Sequence, residues 1–127
     1  MTKAQPCRAL HGGRLLHHVQ EHDPLAVEIT EFHCQLTGLD RTFVKLIFDS
    51  FPAGDGFVGG EAAAAVILTA LIRVGRSTDY KRNMLQQLWS MLQRATGATD
   101  AQMLVAIEEA PASDAIEMGQ IMPEVAG

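Results

Sequence analysis

Between Ser77 and Gly97 apolar residues recur at helical spacing, with Met84, Leu85, Leu88, Trp89 and Leu92 on one stripe. Lys81, Arg82, Gln86, Gln87 and Arg94 fill much of the remaining surface. Ser77 is a good N-cap, Asp79 sits in the positive first turn and Gly97 closes the end, so a helix is predicted there. A second helix is expected earlier. Asp23 followed by Pro24 reads as N-cap and first-turn proline, and Leu25, Ile29, Phe32 and Leu36 carry the apolar stripe up to Gly38.

Three short runs rich in β-branched or aliphatic residues, each bounded by turn or cap residues, predict strands at Thr42–Asp49, Ala65–Ile72 and Gln102–Glu108. A weaker strand, Cys7–His11, ends at Gly12-Gly13. The order is therefore β-α-β, a glycine-rich connection over Pro52–Gly60, and β-α-β again. The fold class is α+β: a duplicated β-α-β unit forming a four-stranded sheet with both helices on one face. Nothing divides the chain, so residues 1–127 read as a single domain. The other face of such a sheet needs a cover, which association with further copies would supply.

The chain has 127 residues, enough for one domain with its own core. With 47% of residues hydrophobic and 20% charged it has the profile of a globular protein rather than a disordered one. A formal charge of −5 argues against nucleic acid as a partner, since phosphates need a basic surface. The longest apolar run, starting at Ala62, is too short for a membrane span, and Met1–Leu10 lacks the apolar core of an export signal. Cys7 and Cys34 are accordingly expected as reduced thiols in a cytoplasmic protein.

Candidate chemistry begins at Arg73-Val74-Gly75-Arg76-Ser77. Two guanidinium groups flank a turn from strand to helix N-terminus, where backbone N–H groups and planar bidentate donors suit a carboxylate. The same residues are also what a solvated turn with two surface arginines would show. His33 lies near the end of the first helix, and a lone helical histidine is usually structural or simply exposed. Glu117 follows the last strand, where a surface role is the ordinary reading. His17, His18, His22 and Asp23 raise a metal site, but no further ligands complete a set, so no metal or other cofactor is expected. The six methionines are dispersed and read as core filler.

Taken together, several segments resemble one family. Ile29-Thr30-Glu31-Phe32-His33 through Leu36-Thr37-Gly38, the strand Phe43–Phe48, Phe51-Pro52-Ala53-Gly54 and Phe57-Val58-Gly59-Gly60 are similar to cis-3-chloroacrylic acid dehalogenase and its homologues in the tautomerase superfamily. So are Arg73–Ser77, Pro111-Ala112, Glu117-Met118-Gly119 and Met122-Pro123. These segments span about three-quarters of the chain in one order, and their agreement carries weight that none has alone.

The resemblance implies a homotrimer and an active site built around an N-terminal proline. It also implies an arginine pair on the substrate carboxylate (Arg73 and Arg76), an assisting histidine (His33) and a water-activating glutamate (Glu117). Two positions depart from the pattern. The family's tyrosine on the last strand falls on Ala106, which removes a hydroxyl and enlarges the pocket. The family's catalytic proline falls on Pro6, which follows Met1–Gln5, and an internal proline nitrogen is a tertiary amide that cannot act as a base. The expected function is a tautomerase or a hydratase/dehalogenase-type enzyme acting on small unsaturated or 2-oxo carboxylates, with tautomerisation or promiscuous hydration favoured over efficient dehalogenation. The alternative is a catalytically weak homologue that binds small acids or serves as a trimeric scaffold.

Overall fold

A computed structural model of the chain describes residues 19–125, with residues 19–22 described by their backbone alone. Pro6, His17, His18 and the strand expected at Cys7–His11 lie outside the described residues. The first helix, α1, spans Val19–Thr37 and contains Pro24. The expected start at Asp23 is therefore corrected. Proline at this position removes only a bond back to the helix's first turn, so the ladder loses one rung and continues. Leu25, Ile29 and His33 are buried at spacings of four, one above another on the inner face. Gly38, at φ 75°, ends the helix and donates its N–H to the Cys34 carbonyl at 2.7 Å.

Two short strands, β1 (Phe57–Val58) and β2 (Glu61–Ala62), form an antiparallel hairpin. Then come β3 (Val66–Arg73), the helix α2 (Thr78–Thr96) and β4 (Met103–Ala110). β3 and β4 pair in parallel from Val66↔Met103 to Arg73↔Ala110, so α2 is the crossover of a β-α-β unit. A last hairpin joins β5 (Ile116–Glu117) to β6 (Gln120–Ile121). The expected caps of α2 hold. Ser77 Oγ accepts the Tyr80 N–H at 3.1 Å, and Gly97 at φ 70° closes the helix.

The strand expected over Thr42–Asp49 is not found as a ladder. Arg41–Phe43 is a 3-10 turn capped by Asp40, and none of the described residues pairs with the stretch after it. Its burial still alternates with the period of extended chain: Leu46 and Phe48 are half-buried, while Lys45, Ile47 and Asp49 are exposed. A strand is defined by its neighbour, and the neighbour expected here is Cys7–His11. Of the four expected strands, the ladder of β3 and β4 is thus the part that the described residues contain.

Val66, Leu68, Ala70 and Ile72 of β3 are all buried against the two helices. They meet Leu25 and Ile29 of α1 and Met84, Leu88, Met91 and Leu92 of α2. Full burial of each large aliphatic contributes roughly 1.5–3 kcal/mol, so this layer fixes the frame. Ion pairs at its rim, Arg94–Glu28 at 2.9 Å and Lys81–Glu109 at 3.3 Å, tie α2 to α1 and to β4 but contribute little in solvent. The alternate positions Thr69, Leu71 and Arg73 project to the other side of the sheet, with Ala106, Glu108 and Ala110 opposite them.

Candidate active site

Arg73 is the last residue of β3, and strand alternation sends it to the side away from the helices. It is only 4% exposed. The last hairpin brings Glu117 to the same place, also 4% exposed. Both line one cavity of about 170 Å³, with Leu71, Ala110 and Ile116 supplying apolar wall and Asp114 a further carboxylate.

Burial lowers the proton affinity of the Arg73 guanidinium, the Glu117 carboxylate opposes that shift, and the Arg76 charge adds to it. Arginine stays protonated throughout the physiological range regardless. Both oxygens of Glu117 are buried without a hydrogen-bond partner among the described residues. A buried carboxylate in that condition is costly, and such groups concentrate where a ligand or a proton transfer employs them.

The turn that forces this geometry is tight. Met118 and Gly119 link β5 to β6 with φ of 54° and 78°, the two positive angles of a type I′ turn. Methionine is a rare occupant of that region. β5 also inverts ordinary partitioning: Ile116 is 61% exposed while Glu117 next to it is buried.

Arg76 stands close enough for its charge to act on Arg73, but its guanidinium lies 4.7 Å over the Tyr80 ring. It does not line the cavity. His33 is buried in a different, mainly apolar cavity between α1, β3 and α2, bordered by Ile29, Phe32, Leu46 and Met84. Arg73 and Glu117 are thus brought together, Arg76 adjoins them, and His33 contributes no atom to their cavity. Ala106, opposite Thr69 in the ladder, lies on the sheet side from which Arg73 projects. No group of three or more histidine, cysteine, aspartate or glutamate side chains among the described residues could hold a metal ion. No described helix is long and apolar enough to cross a membrane.

Two contacts escaped the sequence reading. The Arg73 guanidinium donates to the Pro123 carbonyl, and Val125 packs against Gly75. Met122-Pro123 entered the sequence reading only as part of a family resemblance, and no pattern of residue types identifies which carbonyl a guanidinium will meet.

The model of a family described as putative oxalocrotonate tautomerase enzymes matches residues 9–126. The chain belongs to this tautomerase family. Its β-α-β fold is that of several solved tautomerase-superfamily structures. Native Ps01740 is 27% identical, with a TM-score of 0.81 over 88% of this chain and 99% of that one. N1, a member of the cis-3-chloroacrylic acid dehalogenase family, is 25% identical, with a TM-score of 0.79 over 92% of this chain and 84% of that one. A symmetric trimer of wild-type fused 4-OT shares the fold at 18% identity, with a TM-score of 0.79 over 92% of this chain and 94% of that one. No curated protein matches the chain in sequence. The β-α-β architecture expected from the sequence is thereby shown, as is the superfamily.

Proposed function

We infer that this tautomerase-family chain is an enzyme acting on small unsaturated or 2-oxo carboxylates. The observation that carries the reading is Glu117: a buried carboxylate with both oxygens unpartnered, lining one cavity with a buried guanidinium. Arg73 takes the substrate carboxylate as a planar pair of donors, and the neighbouring Arg76 raises the local positive potential. In hydration, Glu117 accepts a proton from water as the water oxygen bonds to the β-carbon. The displaced π electrons move onto the α-carbon and carboxylate, where the arginines stabilise the charge, and a proton then returns to the α-carbon. In tautomerisation, the enol O–H loses its proton to a base, the 2-oxo group forms and the β-carbon is protonated. That base is Glu117, or the amine of Pro6 where processing makes it N-terminal. His33 carries no step in this reading.

A homotrimer belongs to the same proposal. Ile47, Phe57, Leu104, Ile116, Met118 and Ile121 are each more than half exposed, which a lone domain would not favour and an interface between copies would cover. The fused 4-OT structures whose names describe trimers support the assembly by shared fold.

The test is an ultraviolet assay with an enol-pyruvate and a 3-haloacrylate on the wild type and on Arg73→Ala and Arg76→Ala. Arg73→Ala is expected to lower kcat/KM by about 10²-fold or more, and Arg76→Ala by less. Unchanged turnover in both variants would overturn the reading. A second reading, a binder of small acids without turnover, is favoured by Arg76 stacking on Tyr80, which leaves one arginine at the cavity. Binding that depends on Arg73, with no turnover of any of these acids, would select it.

A further inference from the structure

The cavity that holds Arg73 and Glu117 has a second carboxylate, which the proposed chemistry leaves unused. Asp114 lines it, and the rest of the lining, Leu71, Ile72, Ala110, Ala115 and Ile116, is apolar. The two carboxylates stand differently toward solvent. Glu117 is 4% exposed, with both oxygens unpartnered among the described residues, whereas Asp114 is exposed. Asp114 therefore stands at the open side of the cavity and Glu117 at the inner side. Local structure holds Asp114 there. It ends the 3-10 turn Ala112–Asp114, whose first residue is buried, and its N–H donates to the Pro111 carbonyl at 2.9 Å. Ser113 Oγ donates to its carboxylate at 3.1 Å. The following residue, Ala115, accepts the Met122 N–H at 3.3 Å, which ties the turn to the end of the last hairpin.

We propose that Asp114 is a specificity-determining residue that confines the cavity to short monocarboxylic acids, by repelling a second negative charge at the far end of the substrate. The inference rests on the reading of Arg73 as the carboxylate end of the site, and it names the substrate class of that reading. Among the described residues that line the cavity, Arg73 is the one cation, against two carboxylates. With Glu117 ionised, as a base must be, a monoacid deepens an existing negative excess by one charge and a diacid by two. Arg76 adds positive potential from outside, but its guanidinium lies over Tyr80 and offers no second seat for a carboxylate. Groups lining a cavity of about 170 Å³ lie within a Debye length, about 8 Å at physiological salt, of any ligand inside it. A second ligand carboxylate is therefore repelled with little screening. A neutral far end escapes this: an alkyl group meets the apolar wall, and a hydroxyl donates to Asp114. An exposed aspartate that only solvates its turn would be indifferent to the charge of the ligand.

Crotonate and fumarate provide the test, because they share a four-carbon unsaturated chain and differ by a methyl group against a carboxylate. Their affinities are measured by NMR titration of 15N-labelled protein for the wild type, Asp114→Asn, Asp55→Asn and Arg73→Ala. Asp55, exposed ahead of β1, controls for the loss of one charge from the molecule as a whole. The wild type is expected to bind crotonate about tenfold more tightly than fumarate. Asp114→Asn should narrow that preference about three- to tenfold, chiefly by strengthening fumarate, and Asp55→Asn should leave it within about twofold. Raising the ionic strength from about 20 mM to about 500 mM should narrow the preference of the wild type more than that of Asp114→Asn.

A preference equal in the wild type and Asp114→Asn overturns the proposal, as does a wild type that binds both acids equally. Equal narrowing in Asp55→Asn also overturns it, since the effect would then belong to net charge and not to the cavity. In each of these cases, loss of both acids in Arg73→Ala leaves the carboxylate reading standing and removes the role of Asp114 alone. Binding of both acids that survives Arg73→Ala, or a wild type that binds neither, removes that reading and the proposal with it.

Discussion

Two hairpins of this chain turn identically and do opposite things. β1–β2 reverses at Gly59-Gly60 with φ of 61° and 85°, and β5–β6 at Met118-Gly119 with φ of 54° and 78°. Glycine occupies such positions without steric conflict, so the first turn stores no strain. In the second, methionine does so at a cost of roughly 1–2 kcal/mol. The carboxylates differ in the same sense. Glu61 of the first hairpin is exposed, whereas Glu117 of the second is buried with both oxygens unpartnered. A hairpin that only joins two segments obeys the local rules of turn chemistry and partitioning. One that breaks both rules within three residues is held by the rest of the molecule, and such places coincide with sites of function.

The largest expected effect tests the carboxylates. Glu117→Gln keeps the shape and removes the base, and kcat for hydration of an unsaturated acid should fall about 10²–10⁴-fold. Glu61→Gln, the same change in the unstrained hairpin, should stay within about twofold of the wild type. Thermal melts on both variants separate chemistry from folding: Glu117→Gln leaves the buried Arg73 guanidinium without the carboxylate beside it, so it should melt below the wild type while remaining folded at the assay temperature. Equal activity in the two variants would erase the distinction between the hairpins.

The turns themselves give the next effect. Met118→Gly relieves the left-handed strain but loosens the unfolded chain, so the net gain should be roughly 0.5–1 kcal/mol, or a melting point about 2–4 °C higher. Gly59→Met should move the other hairpin by a similar amount in the opposite direction. Should Met118→Gly destabilise instead, the methionine side chain packs against something outside this chain. With 61% of its surface exposed here, that partner would be another copy.

The contrast between the hairpins also marks what could be read before the fold was known. α2 was legible end to end, because its cap, its stripe and its closing glycine are all local in sequence. β3 and β4 were legible within a residue or two, as aliphatic runs between turn residues. The start of α1 was not, since the rule that proline opens a helix is a preference, and one missing hydrogen bond near the first turn is tolerated. Residues 57–60 had been read only as connection, although Gly59-Gly60 between two residue pairs is a hairpin signal. At the site, Arg73 was singled out by the turn from strand to helix, and the role of Glu117 came from motif resemblance. Their shared cavity and the Pro123 carbonyl depend on contacts between distant parts of the chain, Arg73 and Pro123 being 50 positions apart, which periodicity does not encode. His33 shows the converse: its place on the inner stripe of α1 was visible in the spacing from Ile29, and that spacing puts it in the core rather than beside Arg73.

A third carboxylate supplies the smallest effect and a reference for the other two. Asp40 is exposed and caps the 3-10 turn at Arg41–Phe43, accepting the Thr42 N–H at 3.1 Å and the Thr42 hydroxyl. These hydrogen bonds, the hydroxyl first, hold its carboxyl below the ordinary value. The folded chain thus prefers the ionised form more than the unfolded chain does. The stabilisation is complete above the unfolded value, near pH 4, and is lost as pH falls through the lower folded value. Asparagine caps about as well but carries no charge, so Asp40→Asn isolates the ionised form. The wild type should melt slightly above Asp40→Asn at pH 7, and the gap should close as pH falls below about 4. A gap that stayed constant with pH would mean that the charge contributes nothing to this cap. Solvent supplies the alternative partners at Asp40, so its contribution stays small. Glu117, only 4% exposed, meets far less solvent than Asp40, which is why the effect of its removal is expected at the other end of the scale.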